Sequence, residues 1–129
     1  MMAVMTDEQV HEILGDDGFN RLIAAFYAAV RADDLIGPLY PPDDWANAEW
    51  RLRQFLIQRF GGPATYGEQR GHPRLRMRHA PFPIGPAHRD RWLQLMAAAM
   101  REAHVPSEVA AVLWPYFVQT ATAMMNRDA

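Results

Sequence analysis

RGHPRLRMRHAPFPIG, from Arg70 to Gly85, reads in two ways, and the choice between them decides the fold class. With a period of two, Arg74, Arg76 and Arg78 share one face of a strand, and Leu75, Met77 and His79 share the other. Read as a helix, Leu75 and His79 stack one turn apart on an inner face. A lone strand needs a partner, and no second alternating run exists in this chain to supply one. The stretch is therefore expected to form a short helix. Pro81 disfavours helical geometry at Ala80, which puts His79 in the last turn, where a ring nitrogen can face whatever the fold encloses.

Outward from this stretch the apolar residues fall at helical spacing, so the chain is expected to be all-α and a single domain over residues 1–129. Thr6 with Gln9 fits a capping box that opens a short helix stopping near Gly15. The next helix begins around Asp17 and shows one apolar face: Phe19, Leu22, Ile23, Phe26, Tyr27 and Val30. Beyond Gly37-Pro38 and Pro41-Pro42, Asp43 or Asp44 is expected to cap a helix whose inner stripe is Trp45, Ala48, Leu52, Phe55 or Leu56, and Phe60. Gly61-Gly62-Pro63 ends it, and residues 61–73 read as a loop. Gly85-Pro86 opens a helix carrying Trp92, Met96, Ala99, Met100 and Ala103. The last helix opens at Pro106-Ser107 with Val109, Val112, Leu113, Tyr116, Phe117 and Met124 inward, and Pro115 is expected to bend or interrupt it.

Composition removes several function classes. Thirteen basic residues, all arginine, face fifteen acidic ones, so a formal net charge of -2 gives no global attraction for nucleic acid or anionic lipid. There is no cysteine, hence no disulfide, thiolate nucleophile or Cys-ligated metal. No apolar run is long enough to span a bilayer, and the chain is expected to be soluble, unprocessed and cytoplasmic. The one serine, Ser107, stands at a helix start, where capping is its expected task. His11-Glu12 opens an H-E-x-x-H pattern, but Gly15 occupies the place of the second histidine. The glycines at 61, 62 and 67 match neither phosphate-binding fingerprint.

Among the five histidines, His11, His88 and His104 are expected at exposed helix edges and His72 in a loop. His79 differs, being flanked by arginines on one side and followed by Ala80, Pro81, Phe82, Pro83 and Ile84 on the other. That asymmetry suits an amphipathic guest. A haem needs an oily slot for its macrocycle, an imidazole for its iron and cations for its propionates, and His79 with Arg78 could serve both ends.

The runs FYAAV (26–30), LYPPDDW (39–45), RLRQFLIQRFGGPATYGEQRGHPRLRMRHAPFPIG (51–85) and RDRWL (89–93) resemble the group II truncated haemoglobins, short globins with a two-over-two helical sandwich. The resemblance spans about Phe19 to Leu93, and its GGP, RGHP and R-x-RH-x-P-F elements keep fixed order and spacing. It implies haem b, iron protoporphyrin IX, held by His79 as the proximal iron ligand. It also implies a distal pocket of Tyr27, Tyr40, Ala48, Leu52 and Trp92. Arg51 and Arg78 would pair with propionates, helped by Tyr66, while Phe55, Phe82, Ile84 and Met96 would pack on the macrocycle. The chain departs from the family's pattern at Gly15-Asp16-Asp17-Gly18, in an N-terminal extension over residues 1–16 with a short first helix, and in the final helix.

The resemblance leaves two tasks open: reversible binding of oxygen and other diatomic ligands, and haem-dependent nitric oxide dioxygenase or peroxidase-like turnover. Both would use the same tyrosines and Trp92. The implied partners are the diatomic ligands and a reductase, with neither nucleic acid nor membrane, for a monomer or homodimer.

Overall fold

The computed structural model describes residues 5–128, and every regular element among them is helical. Helices α1 (Gln9–Arg31), α2 (Trp45–Arg59), α3 (Thr65–Arg70), α4 (Leu75–His79), α5 (Pro86–Glu102) and α6 (Ser107–Ala123) follow in order, with a 3-10 turn at Gly37–Leu39. Helix α1 packs on both α2 and α5, and α6 closes against α5 and α1. The expected inner face of α1 is buried along its length, from Phe19 to Val30. It meets Leu56 and Phe60, Met96, Ala99 and Met100 of α5, and Val109, Leu113 and Phe117 of α6 in one core. No described helix is long and apolar enough to cross a membrane.

The break expected near Gly15 is present: the helical run Gln9–Arg31 is sharply kinked at Gly15 (φ 70°, ψ 171°), where one helix ends and the next begins with no intervening loop. Only glycine takes that conformation without strain. Other local expectations are corrected. The run starts at Gln9, and half of the forecast box survives, with the Thr6 N–H donating to Gln9 Oε1 at 2.8 Å. The stretch 61–73 is not all loop. The Glu68 N–H reaches the Ala64 carbonyl at 3.0 Å and Gln58 Oε1 accepts the Gly67 N–H at 2.7 Å, closing the short helix α3.

Capping differs as well. Asp44 precedes α2, but its carboxylate accepts from Arg51 Nη2 (2.6 Å) and Asn47 Nδ2 (3.1 Å) instead of capping the helix. Ser107 is the first residue of α6 and donates to Glu108 Oε2 at 3.2 Å instead of capping. Helix α6 runs through Pro115 uninterrupted. Both Pro115 and Ala111, whose carbonyl loses its donor, are exposed, so water can take the place of the missing bond.

Asp33 ties the segment after α1 to α5. Its Oδ2 accepts the Leu35 and Ile36 N–H groups (3.0 and 2.9 Å), and its Oδ1 accepts from Arg91 Nη1 at 2.6 Å. Burial works to raise its pKa, but the Ile36 amide, Arg91 and the Leu35 amide outweigh this and hold it below its ordinary value of 3.8. We expect Asp33→Ala to cost about 1.5–3 kcal/mol at neutral pH, the range for hydrogen bonds to a charged group. Because the folded-state pKa is the lower one, this contribution is complete above the unfolded pKa and is lost as pH falls through the folded one. Urea melts at descending pH below about 4 check this. The gap between the two proteins should close, and a constant gap contradicts the account.

Candidate functional site

A cleft of about 350 Å³ opens between α2, α4, the start of α5 and the end of α6, roofed by the turn after α1. Its volume falls in the range of small-molecule and cofactor sites. The structure brings to its walls Tyr27, Tyr40, Ala48, Arg51, Leu52, Phe55, Tyr66, Arg78, His79, Phe82, Ile84 and Trp92, the residues singled out from the sequence. Met96 is the exception. It is fully buried in the helical core and is not part of the lining.

His79 ends α4 as expected. Its Nδ1 lies 2.7 Å from the Leu75 carbonyl one turn earlier, so Nδ1 carries the proton that the carbonyl accepts. Nε2 takes no part in that bond, and the residue lines the cleft. Among the described residues no group of three or more His, Asp or Glu converges as a metal cage. An imidazole with one nitrogen uncommitted, as in His79, suits a metal that brings its remaining ligands with it.

Three hydrogen-bond donors, Tyr27, Tyr40 and Trp92, also line the cleft. Tyr27 and Tyr40 pack edge to face at 5.8 Å, and Tyr40 stacks on Trp45 at 5.1 Å, with the Arg31 guanidinium 5.3 Å from the Trp45 ring. Burial first, and then the neighbouring Tyr40, holds the Tyr27 phenol well above its ordinary pKa. Burial also raises Tyr40, against the lowering effects of Tyr27, Trp92 and Arg51. Both therefore remain hydroxyls at neutral pH. The Trp92 ring is held edge-on by Phe26 at 5.0 Å and Phe117 at 5.7 Å, which fixes where its N–H can point.

Charge gathers at the rim. Arg78 Nη1 donates to the Tyr66 hydroxyl at 3.1 Å, Tyr66 packs on Phe55, and Arg51 is held by Asp44, whose pKa is lowered chiefly by that Arg51 bond. Each guanidinium has five N–H donors, so both keep donors for an anion in the cleft.

Sequence reasoning placed Phe117 and Met124 inward but did not assign them to the cleft, which they line with Thr120 and Ala121 at i, i+3, i+4 and i+7. The spacing was there to read, but the polar Thr120 interrupts an otherwise apolar stripe. It also missed Asn126, whose Oδ1 accepts the Ile84 N–H (2.9 Å) while its Nδ2 donates to the Phe82 carbonyl (2.8 Å). That side chain clamps the turn following His79, and nothing in the sequence signals it.

Two histidines depart from their expected exposure. His88 is half-buried on the cleft wall, and its Nδ1 accepts the Gly85 N–H at 3.0 Å at the start of α5. His11 is half-buried, with Nε2 2.7 Å from Asp16 Oδ1 and its ring stacked on Phe19. His72 and His104 are exposed, as expected.

The family model described as bacterial-like globin matches residues 9–126. The group 2 truncated haemoglobin YjbI of Bacillus subtilis (strain 168) is 37% identical over 117 residues, covering 91% of this chain and 88% of that protein. Among solved structures, the haemoglobin of the thermophilic phototrophic bacterium Chloroflexus aurantiacus superposes with a TM-score of 0.88 at 51% identity, covering 92% of this chain and 98% of that one. The truncated oxygen-avid haemoglobin of Bacillus subtilis superposes with a TM-score of 0.86 at 36% identity, covering 91% and 98%.

Proposed function

The chain belongs to the bacterial-like globin family, as a group II truncated haemoglobin with the two-over-two fold, and from that premise we propose that His79 holds haem b in the cleft for the binding of oxygen. The family makes it a haem protein that binds oxygen and other diatomic ligands. The single observation that supports His79 as the holder is its hydrogen bond to the Leu75 carbonyl, which commits Nδ1 and leaves Nε2 uncommitted. Bound there, haem would supply a ferrous iron able to take a small diatomic ligand.

The chain's own residues then have distinct tasks. The Leu75 carbonyl holds the His79 ring in place through Nδ1. Leu52, Phe55, Phe82 and Ile84 give the macrocycle apolar walls and exclude water. Tyr27, Tyr40 and Trp92 supply the donors a bound ligand would meet, whereas Ala48 adds none. Arg78, with Arg51, offers cations to the propionates. A cytoplasmic setting and one-electron reduction by a partner belong to the same proposal.

The test is the visible spectrum of the protein purified with haem, followed by its oxygen release rate. A Soret band and a stable oxygen complex support the reading, and a colourless protein that takes up no haem refutes it. Nitric oxide dioxygenation would use the same three donors. Consumption of nitric oxide by the oxygen-loaded protein, with nitrate formed stoichiometrically over repeated turnovers, would make that the main task.

Arg78→Ala checks the rim. Partly exposed charge pairs contribute only about 0–1 kcal/mol each, so haem should pass to an acceptor protein a few-fold faster without being lost outright. Unchanged transfer would remove Arg78 from the haem contacts.

A further inference from the structure

Between Gln69 and Arg89 the chain carries five of its thirteen arginines and no acidic residue, which leaves the rest of the molecule with a formal charge of -7. Arg70, Arg74 and Arg76 are exposed, and no carboxylate among the described residues pairs with any of them. In their midst Met77 is 60% exposed, more than any other large apolar side chain described. A flexible apolar residue ringed by unpaired arginines has the composition of a protein interface, an adaptable centre with a charged rim.

We propose that this face of α4 docks an acidic one-electron carrier protein, which returns the ferric haem to the ferrous state that binds oxygen. The proposal rests on the haem reading above, since α4 also carries His79 and lines the cleft with Leu75 and Arg78. Five helical residues span only about 7.5 Å, so a carrier seated here stands within two turns of the iron-ligand position. One electron leaves the carrier's reduced iron–sulfur cluster and arrives at the ferric iron, which becomes ferrous, and no bond is made or broken. The carrier is favoured over nucleic acid because the basic face is small and the remaining surface, at -7, repels an extended polyanion. A compact protein with one acidic face meets the arginines alone.

The haem-loaded protein is tested against a plant-type [2Fe–2S] ferredoxin, a strongly acidic carrier. Calorimetry measures binding of the oxidised ferredoxin, and stopped flow measures reduction by the reduced form, from about 20 to about 500 mM salt. Reduction should slow steeply with salt, and Arg74→Glu/Arg76→Glu should weaken binding and slow reduction roughly tenfold or more. Met77→Ser should weaken binding a few-fold without changing the salt dependence. Arg21→Glu/Arg101→Glu changes net charge equally but lies elsewhere on the exposed surface, and should stay within about twofold of the unsubstituted protein. All variants should keep the Soret band and be reduced alike by photoreduced lumiflavin, a small neutral donor. Salt-independent reduction, or equal effects from the two charge-reversed pairs, overturns the docking face and leaves the haem reading standing. So does tight, salt-steep binding of duplex DNA in place of ferredoxin. A protein without a Soret band overturns the haem reading itself and the proposal with it.

Discussion

His79→Ala is expected to emerge from purification with little haem, or with haem in altered ligation, while His72→Ala keeps a nearly unchanged spectrum. The contrast follows from position. His79 closes α4 with Nδ1 bound to the Leu75 carbonyl and lines the cleft. His72 is exposed, and its Nδ1 accepts the Arg74 N–H at 3.0 Å. If His79 holds the iron as proposed, its bond would be the one directional link between the chain and the metal, whereas contacts such as Leu52 and Ile84 are non-directional and would hold any flat apolar guest. Losing it should therefore change ligation more than any single wall substitution. Absorption spectra and the haem-to-protein ratio of the two variants measure this. A colourless His72→Ala beside an unaltered His79→Ala would reverse the assignment.

Trp92→Phe should release oxygen roughly ten to a hundred times faster, with a much smaller change for carbon monoxide. The indole N–H is a donor without acceptor capacity, and the flanking rings of Phe26 and Phe117 hold its direction before any ligand arrives. Oxygen as a ligand draws negative charge, and carbon monoxide draws far less. A hydrogen bond to a charged acceptor contributes about 1.5–3 kcal/mol against about 0.5–1.5 for a neutral one. At about 1.4 kcal/mol per tenfold change, the expected factor for oxygen follows. Phenylalanine keeps much of the edge contact with Phe26, so the core should survive the change. Stopped-flow displacement on both proteins reads the rates. Equal oxygen release would assign the stabilisation to Tyr27 or Tyr40, whose phenols stay protonated in the same pocket.

The helices were legible wherever an apolar stripe ran for several turns, as from Phe19 to Val30, because burial of one face imposes the 3.6-residue period. Reading the stretch around Leu75 and His79 as a short helix followed from the lack of any strand to pair with, and α4 bears it out. What escaped was structure held by single polar contacts. Helix α3 depends on Gln58 reaching Gly67, and the turn after His79 depends on Asn126, partners 9 and 42 or more residues away. Periodicity carries no trace of either. Within the cleft, an inward-facing side chain on a helix can meet either the core or a cavity, and spacing does not separate the two. That is why Met96 lies in the core and Trp92, on the same stripe one turn earlier, lies on the cleft wall.

The account stands on one atom, Nε2 of His79. Crystals of the haem-loaded protein, measured at the iron absorption edge, would locate the metal independently of any assumption about the cleft. The account predicts a single anomalous peak within coordination distance of His79 Nε2, on the cleft side of α4 and facing Tyr27, Tyr40 and Trp92. A peak bonded instead to His88, to a tyrosine oxygen or to a residue outside the cleft would contradict it.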